Sequence, residues 1–308
     1  MTTTLDISPS PRTALAVDGP QVSRFVAGWW RLQDWGLSRA DTQALMEHYL
    51  SLGVTTMDHA DIYGGYQCEA LFGEAFAGSG IEREQLQIIT KCGIQLVDSA
   101  RPNTTVKHYD TSKQHIIASA ERSLKNLQCE YLDVLLIHRP DPLMQADEVA
   151  EAFESLSRSG KVRHFGVSNF TPAQFALLQS SWDKPLVTNQ LEISPLAPTV
   201  LTDGSLDQCQ QRRIRPMAWS CLGGGRLFLD AAYQPARERL QPLVEQVGAS
   251  SLEQLIYAWV LMLPSQPLPI IGSGKPERIS SAVASAQISL NRQQWFEILT
   301  AITGQEVP

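Results

Sequence analysis

The chain is 308 residues long and has 25 basic and 32 acidic side chains, a net charge of −7 without a basic run, so nucleic-acid binding is not expected. Its length suits one large or two ordinary α/β domains, and because no linker rich in proline, glycine or serine divides it, we expect a single domain over residues 1–308. No apolar run reaches the ~18 residues of a membrane span, no signal-peptide core opens the chain, and the five cysteines lack CxxC spacing, so we expect a cytoplasmic protein with reduced thiols.

The first half of the chain alternates predicted strands and helices. Residues 1–20 show little pattern and predict a loose arm that covers one end. The run RFVAGWW (24–30) predicts a strand, and Ser38-Arg-Ala-Asp41 resembles a capping box that opens a helix. The strand GVTTM, the helix CEALFGEAFA and the strand LQIIT follow. Residues 96–111 predict a long polar loop, and loops of that length are usually functional or mobile.

The second half continues the same alternation. After the helix SKQHIIASAERSLKNL, the strands YLDVLLI, VRHFGV, LVTNQLE and RPMAWS alternate with helices, one of which begins at Thr171-Pro172. The helix LEQLIYAWVLML, the strand PLPII and helices from Pro276 and Asn291 complete the chain. Eight strand–helix units predict a (β/α)8 TIM barrel with extra C-terminal helices. A doubly wound sheet is the alternative, but the first unit lacks the GxGxxG turn of a Rossmann domain.

Polar or aromatic residues stand where seven of the apolar runs end. The carboxyl ends of parallel strands face one common mouth, so these residues predict a functional site there. Each residue alone is more often a structural ion pair, a satisfied histidine or a loop anchor, and it is their occurrence together that favours a site. They are Asp58, Lys91, His138, Ser168-Asn169, Gln190, Trp219-Ser220 and Gly272-Ser273.

Six segments resemble the aldo-keto reductase family, from about residue 22 to the end of the chain. The resemblance implies a TIM barrel that reduces aldehydes and ketones to alcohols with NADPH, and it assigns a catalytic tetrad to Asp58, Tyr63, Lys91 and His138. The segments are GVTTMDHADIYGG (53–65), Lys91, LLIHRPDP (135–142), GKVRHFGVSNF (160–170), RPMAWSCLGGGRLF (215–228) and IIGSGKPERI (270–279).

The residue chemistry supports the same assignment. Carbonyl reduction needs a proton donor, and Tyr63 is the candidate. A free tyrosine titrates near 10 and is too weak an acid at neutral pH by about three units, or roughly 4 kcal/mol. A Lys91 ammonium about 4 Å away favours the phenolate by roughly 4 kcal/mol at an effective dielectric near 20, and Asp58 keeps that lysine charged. His138 can hydrogen-bond the substrate oxygen or relay a proton.

The resemblance also implies where the coenzyme binds. The family positions that hold the nicotinamide carboxamide match Ser168, Asn169 and Gln190. The family position whose aromatic ring stacks on the nicotinamide is more often tyrosine, and here it is Trp219. Arg278 matches the arginine that contacts the adenosine 2′-phosphate, whereas Ser281 and Ala282 depart from the usual adenine-binding residues. The remaining predicted contacts lie in two glycine-rich loops suited to phosphate: Ser220, Cys221, Leu222, Gly223, Gly225 and Arg226, then Gly272, Ser273, Gly274 and Lys275.

The sequence says less about the substrate. The resemblance places Trp30 beside the substrate pocket and Tyr66 near its boundary with the coenzyme, and an aromatic rim suits small apolar or aromatic carbonyl compounds. A nicotinamide-binding sensor or accessory subunit with slow turnover is the alternative function. His59 and Asp61 beside Asp58 suggest a metal site, but no metal is expected, because the chain has no HxH or HExxH pair and successive residues of an extended segment point in opposite directions. A metal-dependent hydrolase therefore fails on ligand spacing.

Overall fold

The computed structural model describes residues 7–99 and 101–307. Within these residues the strands are β1 (Arg12–Ala14), β2 (Gln21–Ser23), β3 (Val26–Gly28), β4 (Thr56–Asp58), β5 (Gln87–Cys92), β6 (Ile94–Gln95), β7 (His108–Tyr109), β8 (Leu132–Ile137), β9 (Val162–Ser168), β10 (Leu186–Glu192), β11 (Met217–Trp219) and β12 (Leu268–Ile271). The helices are α1 (Arg39–Ser51), α2 (Tyr63–Tyr66), α3 (Cys68–Ala77), α4 (Lys113–Leu127), α5 (Ala146–Arg158), α6 (Pro172–Ser181), α7 (Ser205–Arg212), α8 (Arg226–Leu229), α9 (Gln234–Gln246), α10 (Leu252–Leu261), α11 (Pro276–Ala284) and α12 (Arg292–Thr303).

Eight strands close into one parallel barrel in the order β3, β4, β5, β8, β9, β10, β11 and β12, with β12 pairing back onto β3. This arrangement confirms the predicted (β/α)8 TIM barrel. The first barrel strand is shorter than the predicted run, because pairing covers only Val26–Gly28 and leaves Trp29 and Trp30 beyond its end. β5 and β8 are buried along their whole length, which explains why they appear in the sequence as nearly continuous apolar runs.

The helices surround the barrel, and the four whose starts were predicted, α1, α6, α11 and α12, begin where expected. The Ser38 side chain accepts from the backbone N–H of Asp41, whose carboxylate accepts from the backbone N–H of Ser38. Thr171 caps α6 with Pro172 at its first position, and Asn291 caps α12. These caps satisfy amides that have no partner within the helix. No helix within the described residues is long and apolar enough to cross a membrane.

The predicted loose arm over residues 1–20 was wrong for part of its length. Residues 1–6 lie outside the described residues, but β1 and β2 pair antiparallel as a hairpin. Leu15, between them, is fully buried, and its carbonyl accepts from the backbone N–H of Arg215 just before β11. The hairpin therefore lies at the amino end of the barrel strands, opposite the polar strand ends.

The long loop predicted over residues 96–111 is partly ordered by short-range pairing. β6 and β7 form a two-stranded antiparallel ladder at its base. The Tyr66 hydroxyl accepts from the backbone N–H of Leu96 at 2.8 Å, and the Arg101 guanidinium lies 4.7 Å from the centroid of the Tyr66 ring. Tyr66 thus ties the loop to the short helix α2.

The five cysteines are all free thiols, four of them buried and Cys129 half-buried. Burial raises the pKa of Cys209 and of Cys221 to about 12, and that of Cys129 to about 11. It raises the pKa of Cys92 well above its ordinary value. These thiols therefore pack as small apolar side chains.

Candidate active site

Three of the predicted catalytic residues come from neighbouring strands of the barrel. Asp58 is the last residue of β4, Lys91 lies near the end of β5, and His138 follows β8 directly. The pairing of β4 with β5 and of β5 with β8 brings these three side chains to one end of the barrel. The Lys91 residue is fully buried, and Asp58 and His138 are buried as well.

The Lys91 ammonium is the centre of the site. Its Nζ donates to both carboxylate oxygens of Asp58 at 2.9 Å and to the backbone carbonyl of His59 at 2.7 Å. It also donates to the hydroxyl of Tyr63 at 3.1 Å. A buried ammonium is stable only when its protons are paired. Here the Lys91 ammonium has acceptors in the Asp58 carboxylate, the His59 carbonyl and the Tyr63 hydroxyl. The phenolic oxygen accepts from lysine, so its own proton is left for another partner.

Tyr63 reaches this position because the chain turns sharply after it. Tyr63 opens α2, and Gly64 and Gly65 adopt φ of +58° and +60°, a left-handed conformation that side chains rarely adopt. A Cβ at Gly64 would lie 2.7 Å from the Cys68 sulfur. The Tyr63 ring meets the His138 ring edge to face, with centroids 5.9 Å apart. The turn therefore aims the phenol at the strand ends.

Burial dominates the acidity of this cluster. It raises the pKa of Tyr63 above its ordinary value; the Asp58 charge raises it further, while Lys91 lowers it. The lysine acts in the predicted direction, but it does not outweigh the loss of solvent around the phenol. Burial alone would lower the pKa of Lys91, yet the charges and hydrogen bonds of Asp58 and Tyr63 raise it. The cluster therefore keeps lysine charged and tyrosine protonated.

His138 is held as a neutral imidazole. Burial, together with the positive charges of Lys91 and Arg139, moves its pKa well below the ordinary value. Its Nδ1 is buried and has no hydrogen-bond partner among the described residues. The backbone N–H of His138 donates to the carbonyl of Cys92 at 2.9 Å, which fixes the backbone of His138 relative to β5. A neutral ring has one N–H donor to offer a ligand oxygen.

The amides predicted to hold nicotinamide form a connected network across β9, β10 and β11. The Gln190 amide donates to Asp58 Oδ1 at 2.8 Å, and the Ser168 hydroxyl donates to the Gln190 carbonyl at 3.0 Å. The Asn169 amide donates to Ser168 Oγ at 2.7 Å, and its oxygen accepts from the Trp219 indole N–H at 3.1 Å. The residues predicted to hold nicotinamide are thus hydrogen-bonded to one another and, through Gln190, to the predicted catalytic residue Asp58.

The first predicted phosphate loop follows β11. Ser220 has a φ of +50°, and the three glycines 223–225 all have positive φ. A Cβ added at Gly224 would meet nothing within 4 Å, so the backbone there faces open space. The Arg226 side chain donates to the carbonyl of Gly223 at 3.1 Å and ties the loop to α8. Leu222 is half-buried and packs against the core. Such a backbone lets a phosphate approach closely.

The second predicted phosphate loop joins β12 to α11. Its Ser273 hydroxyl accepts from the backbone N–H of Lys275 at 3.2 Å, and the Tyr49 hydroxyl donates to the Ser273 carbonyl at 3.3 Å. Gly272 and Lys275 are exposed, and a Cβ at Gly274 would lie 2.8 Å from an atom of the Trp35 ring. Its predicted 2′-phosphate ligand, Arg278, forms an ion pair with Glu253. Ser281 is half-buried and Ala282 is buried.

Trp30 stands at the edge of the site and is 55% exposed. Its ring lies 6.4 Å from that of Tyr63, and the Arg31 guanidinium lies 5.0 Å from the Trp30 centroid. An exposed ring this close to the phenol agrees with the predicted aromatic rim. Arg31 adds a positive charge to that rim.

Two charged residues at the mouth, Arg139 and Glu192, were not predicted from the sequence. The Arg139 guanidinium lies 5.6 Å from the centroid of the Trp219 ring, and its charge acts on Tyr63 and His138. Glu192 ends β10, and burial raises its pKa against the opposing charges of Arg226 and Arg139. Arg139 could have been found, because it follows His138 in the segment LLIHRPDP. The rim is consequently more polar than the sequence indicated.

The aldo/keto reductase family matches residues 24–302, so the chain belongs to that family and is one of its oxidoreductases. It is 59% identical to oxidoreductase YdhF of Escherichia coli (strain K12) over 297 residues, which cover 96% of this chain and 99% of YdhF. It is 44% identical to a 6-dehydroglucose reductase of Agrobacterium fabrum (strain C58) over 297 residues, which cover 96% of this chain and 99% of that reductase. These matches confirm the resemblance that the motifs predicted.

A solved structure supports the fold. The crystal structure of the thermostable aldo-keto reductase Tm1743 in complex with the inhibitor epalrestat matches with a TM-score of 0.78. The match covers 94% of this chain and 99% of that chain, at 24% sequence identity. At that identity the likeness shows that the barrel is shared.

Proposed function

We propose that the protein reduces aldehydes and ketones to alcohols with NADPH, and that Tyr63 donates the proton. The observation that carries this proposal is the contact from Lys91 Nζ to the Tyr63 oxygen at 3.1 Å. Because lysine occupies a lone pair of that oxygen, the phenolic proton is free to meet a carbonyl oxygen in the mouth. The same contact stabilises the phenolate once the proton has left.

Asp58 supports the proton donor through Lys91. Its carboxylate accepts both from the ammonium and from the Gln190 amide, so its position is fixed from two sides. An uncharged lysine could not stabilise a phenolate, and burial without Asp58 would favour the uncharged form. Asp58 thus acts indirectly: it keeps Lys91 charged and oriented toward Tyr63.

His138 is the second contact that we propose for the substrate oxygen. The imidazole is neutral, lies edge to face with the Tyr63 ring, and has a buried Nδ1 without a partner among the described residues. A donor beside the oxygen stabilises the negative charge that develops there during reduction. Tyr63 and His138 together would hold that oxygen from two directions.

The residues present fit a nicotinamide coenzyme. The open backbone at Gly224 and the exposed Lys275 suit phosphate, while Ser168, Asn169 and Gln190 supply hydroxyl and amide groups beside Asp58. Trp219 would lie against the nicotinamide, with its ring oriented by the bond to Asn169. When bound, NADPH supplies the hydride that reduces the carbonyl carbon. The further contacts that we propose are Ser220, Cys221, Leu222, Gly223, Gly225, Arg226, Gly272, Ser273, Gly274 and Arg278.

The substrate that we propose is a small aldehyde, including aldehydes that carry hydroxyl groups. Two relatives, of Agrobacterium fabrum and Novosphingobium aromaticivorans, are 6-dehydroglucose reductases at 44% and 36% identity. Arg139 and Glu192 bring a donor and an acceptor to Trp219, and Trp30 offers an exposed ring. Hydrogen-bonding groups beside aromatic faces suit a hydroxylated carbon chain.

A steady-state assay tests this proposal. NADPH oxidation would be followed at a fixed protein concentration against aldehydes, ketones, diketones and a sugar aldehyde, with the matching alcohols as controls. We expect turnover with aldehydes to exceed ~1 per second, the lower range of ordinary enzymes. Coenzyme binding without turnover on any carbonyl compound would contradict the proposal and support a sensor or accessory role.

A further inference from the structure

The side chain expected to bind the 2′-phosphate is already paired within the protein. Arg278 Nη2 donates to Glu253 Oε1 at 2.5 Å, and its Nε donates to Glu253 Oε2 at 3.4 Å. The carboxylate therefore takes the side-on edge of the guanidinium, which is the edge that also fits two oxygens of a phosphate. Among the described residues, the far nitrogen of the guanidinium, Nη1, has no hydrogen-bond partner.

The charges around this pair cancel. Lys275 directly precedes α11 and Arg278 lies in its first turn, with Glu277 next to Arg278 in the sequence. Glu253 lies in the first turn of α10, where a carboxylate is favoured by the helix dipole. The start of α11 and its partner Glu253 thus contribute two positive and two negative charges, where a phosphate with nearly two negative charges is expected to bind.

The pair is also open to exchange. The Arg278 side chain is 46% exposed and that of Glu253 is 22% exposed. Ion pairs in contact with water contribute little to stability, so a phosphate can displace the carboxylate without a large penalty. The displaced carboxylate would nevertheless remain nearby, because α10 is fixed by a buried helix face. Its charge would then oppose the bound phosphate.

We propose that Glu253 is a specificity-determining residue that masks Arg278 and reduces the preference of the enzyme for NADPH over NADH. The proposal rests on the proposed use of NADPH. In the part of the chain that the structure describes, the Glu253 side chain hydrogen-bonds to Arg278 and to none of the predicted catalytic residues or nicotinamide-end amides. It acts on the coenzyme only through the arginine that reads the 2′-phosphate.

The test compares coenzyme dissociation constants, measured by quenching of tryptophan fluorescence. Glu253→Gln keeps the shape of the side chain but removes its charge. We expect NADPH to bind about fivefold more tightly, which corresponds to about 1 kcal/mol, while NADH affinity stays within about twofold. Glu277→Gln is the matched control, because it removes a charge beside Arg278 without freeing the guanidinium, and its effect should be smaller.

A double variant shows whether the effect passes through Arg278. In an Arg278→Ala background, Glu253→Gln should no longer change the ratio of NADPH to NADH affinity, since no guanidinium remains to be unmasked. 2′-AMP has the phosphate but no nicotinamide, and it should displace bound NADPH at lower concentration. We expect this gain in the Glu253→Gln single variant and not in the double variant. Thermal unfolding of each variant shows that the fold is kept.

Two results would overturn the inference in distinguishable ways. If both coenzymes bind but Glu253→Gln leaves their ratio unchanged or weakens NADPH, Glu253 supports Arg278 and does not mask it. If the unaltered protein binds neither coenzyme, the proposed function fails together with the inference. A selective gain for NADPH that disappears with Arg278→Ala supports the masking role.

Discussion

Two cation–carboxylate pairs lie at opposite ends of the proposed coenzyme site, and they differ in burial. In the Lys91–Asp58 pair the side chains are 0% and 4% exposed, whereas in the Arg278–Glu253 pair they are 46% and 22% exposed. Removing one partner of a buried pair leaves an uncompensated charge and costs several kcal/mol, while an exposed pair is worth about 1 kcal/mol or less. The first pair is therefore a fixed part of the site, and the second can exchange with a ligand.

The largest effect is expected at the buried end. Tyr63→Phe removes the proposed proton donor and keeps the ring that packs against His138. We expect kcat for carbonyl reduction to fall by at least ~100-fold, the lower range for general acid catalysis, with NADPH affinity retained. The matched control is Tyr131→Phe at the opposite end of the barrel, which should leave kcat unaltered. Near-normal turnover of Tyr63→Phe would remove this residue from the mechanism.

A second prediction tests whether Lys91 and Asp58 act as a unit. Lys91→Met deletes the charge that lowers the pKa of Tyr63, so we expect kcat to fall ~10- to 100-fold and the alkaline limb of the pH profile to move to higher pH. Asp58→Asn keeps Oδ1 for Gln190 and should lose less. The double variant should be no worse than Lys91→Met alone.

Kinetics and thermal unfolding of these variants give separate readings. Lys91→Met leaves the buried Asp58 carboxylate without its partner. The thermal unfolding midpoint of this variant should therefore fall further than that of the double variant. Lys113→Met, which breaks an exposed pair with Glu151, is the control and should change neither kcat nor stability measurably. Additive losses in the double variant would show that Asp58 acts through another residue.

The exposed end should respond more weakly. Arg278→Ala removes the proposed phosphate ligand, and we expect NADPH affinity to fall about tenfold, or about 1.4 kcal/mol, because part of that interaction is already offset by Glu253. NADH affinity and kcat at saturating coenzyme should stay near normal. Isothermal titration with both coenzymes measures the difference. An equal loss for both would mean that Arg278 supports the loop after β12.

The smallest effect is predicted for pH. His138 has a pKa well below its ordinary value and stays neutral, and burial raises the pKa of Tyr63 above its ordinary value, so the phenol stays protonated at neutral pH. Reduction needs the protonated phenol, so kcat is retained below the Tyr63 pKa and lost as pH rises through it. We therefore expect kcat to change less than about twofold between about pH 6 and 9. A change of kcat with pH centred near the ordinary histidine pKa of about 6.5 would show that His138 titrates there and would contradict this prediction.

The barrel was predictable because its strands are buried on both sides and end in polar residues. The apolar runs YLDVLLI and LQIIT, which end at His138 and Lys91, show this pattern of an apolar strand followed by a polar residue. The β1–β2 hairpin was not predictable, since three-residue strands show no alternation. Its stability comes from contacts with distant residues such as Arg215, whose backbone N–H donates to Leu15.

The site was predictable in its residue types and less so in its energetics. Strand ends placed Asp58 and Lys91 together, but the carbonyl of His59, which also binds the ammonium, is a backbone atom that no side-chain pattern indicates. The raised pKa of Tyr63 depends on burial, which is a property of the folded surroundings. The Arg278–Glu253 pair joins two helices, and nothing local to either helix predicts the partner.

The burial of the cysteines has a consequence for an enzyme that handles electrophiles. Aldehydes and enals react with thiolates, and a thiol whose pKa is about 12 is almost entirely protonated at neutral pH. The thiol of Cys221, next to the predicted nicotinamide end, is both buried and un-ionised. We therefore expect aldehydes and enals to alkylate the Cys221 thiol slowly, so the predicted coenzyme loop should be little modified by such compounds.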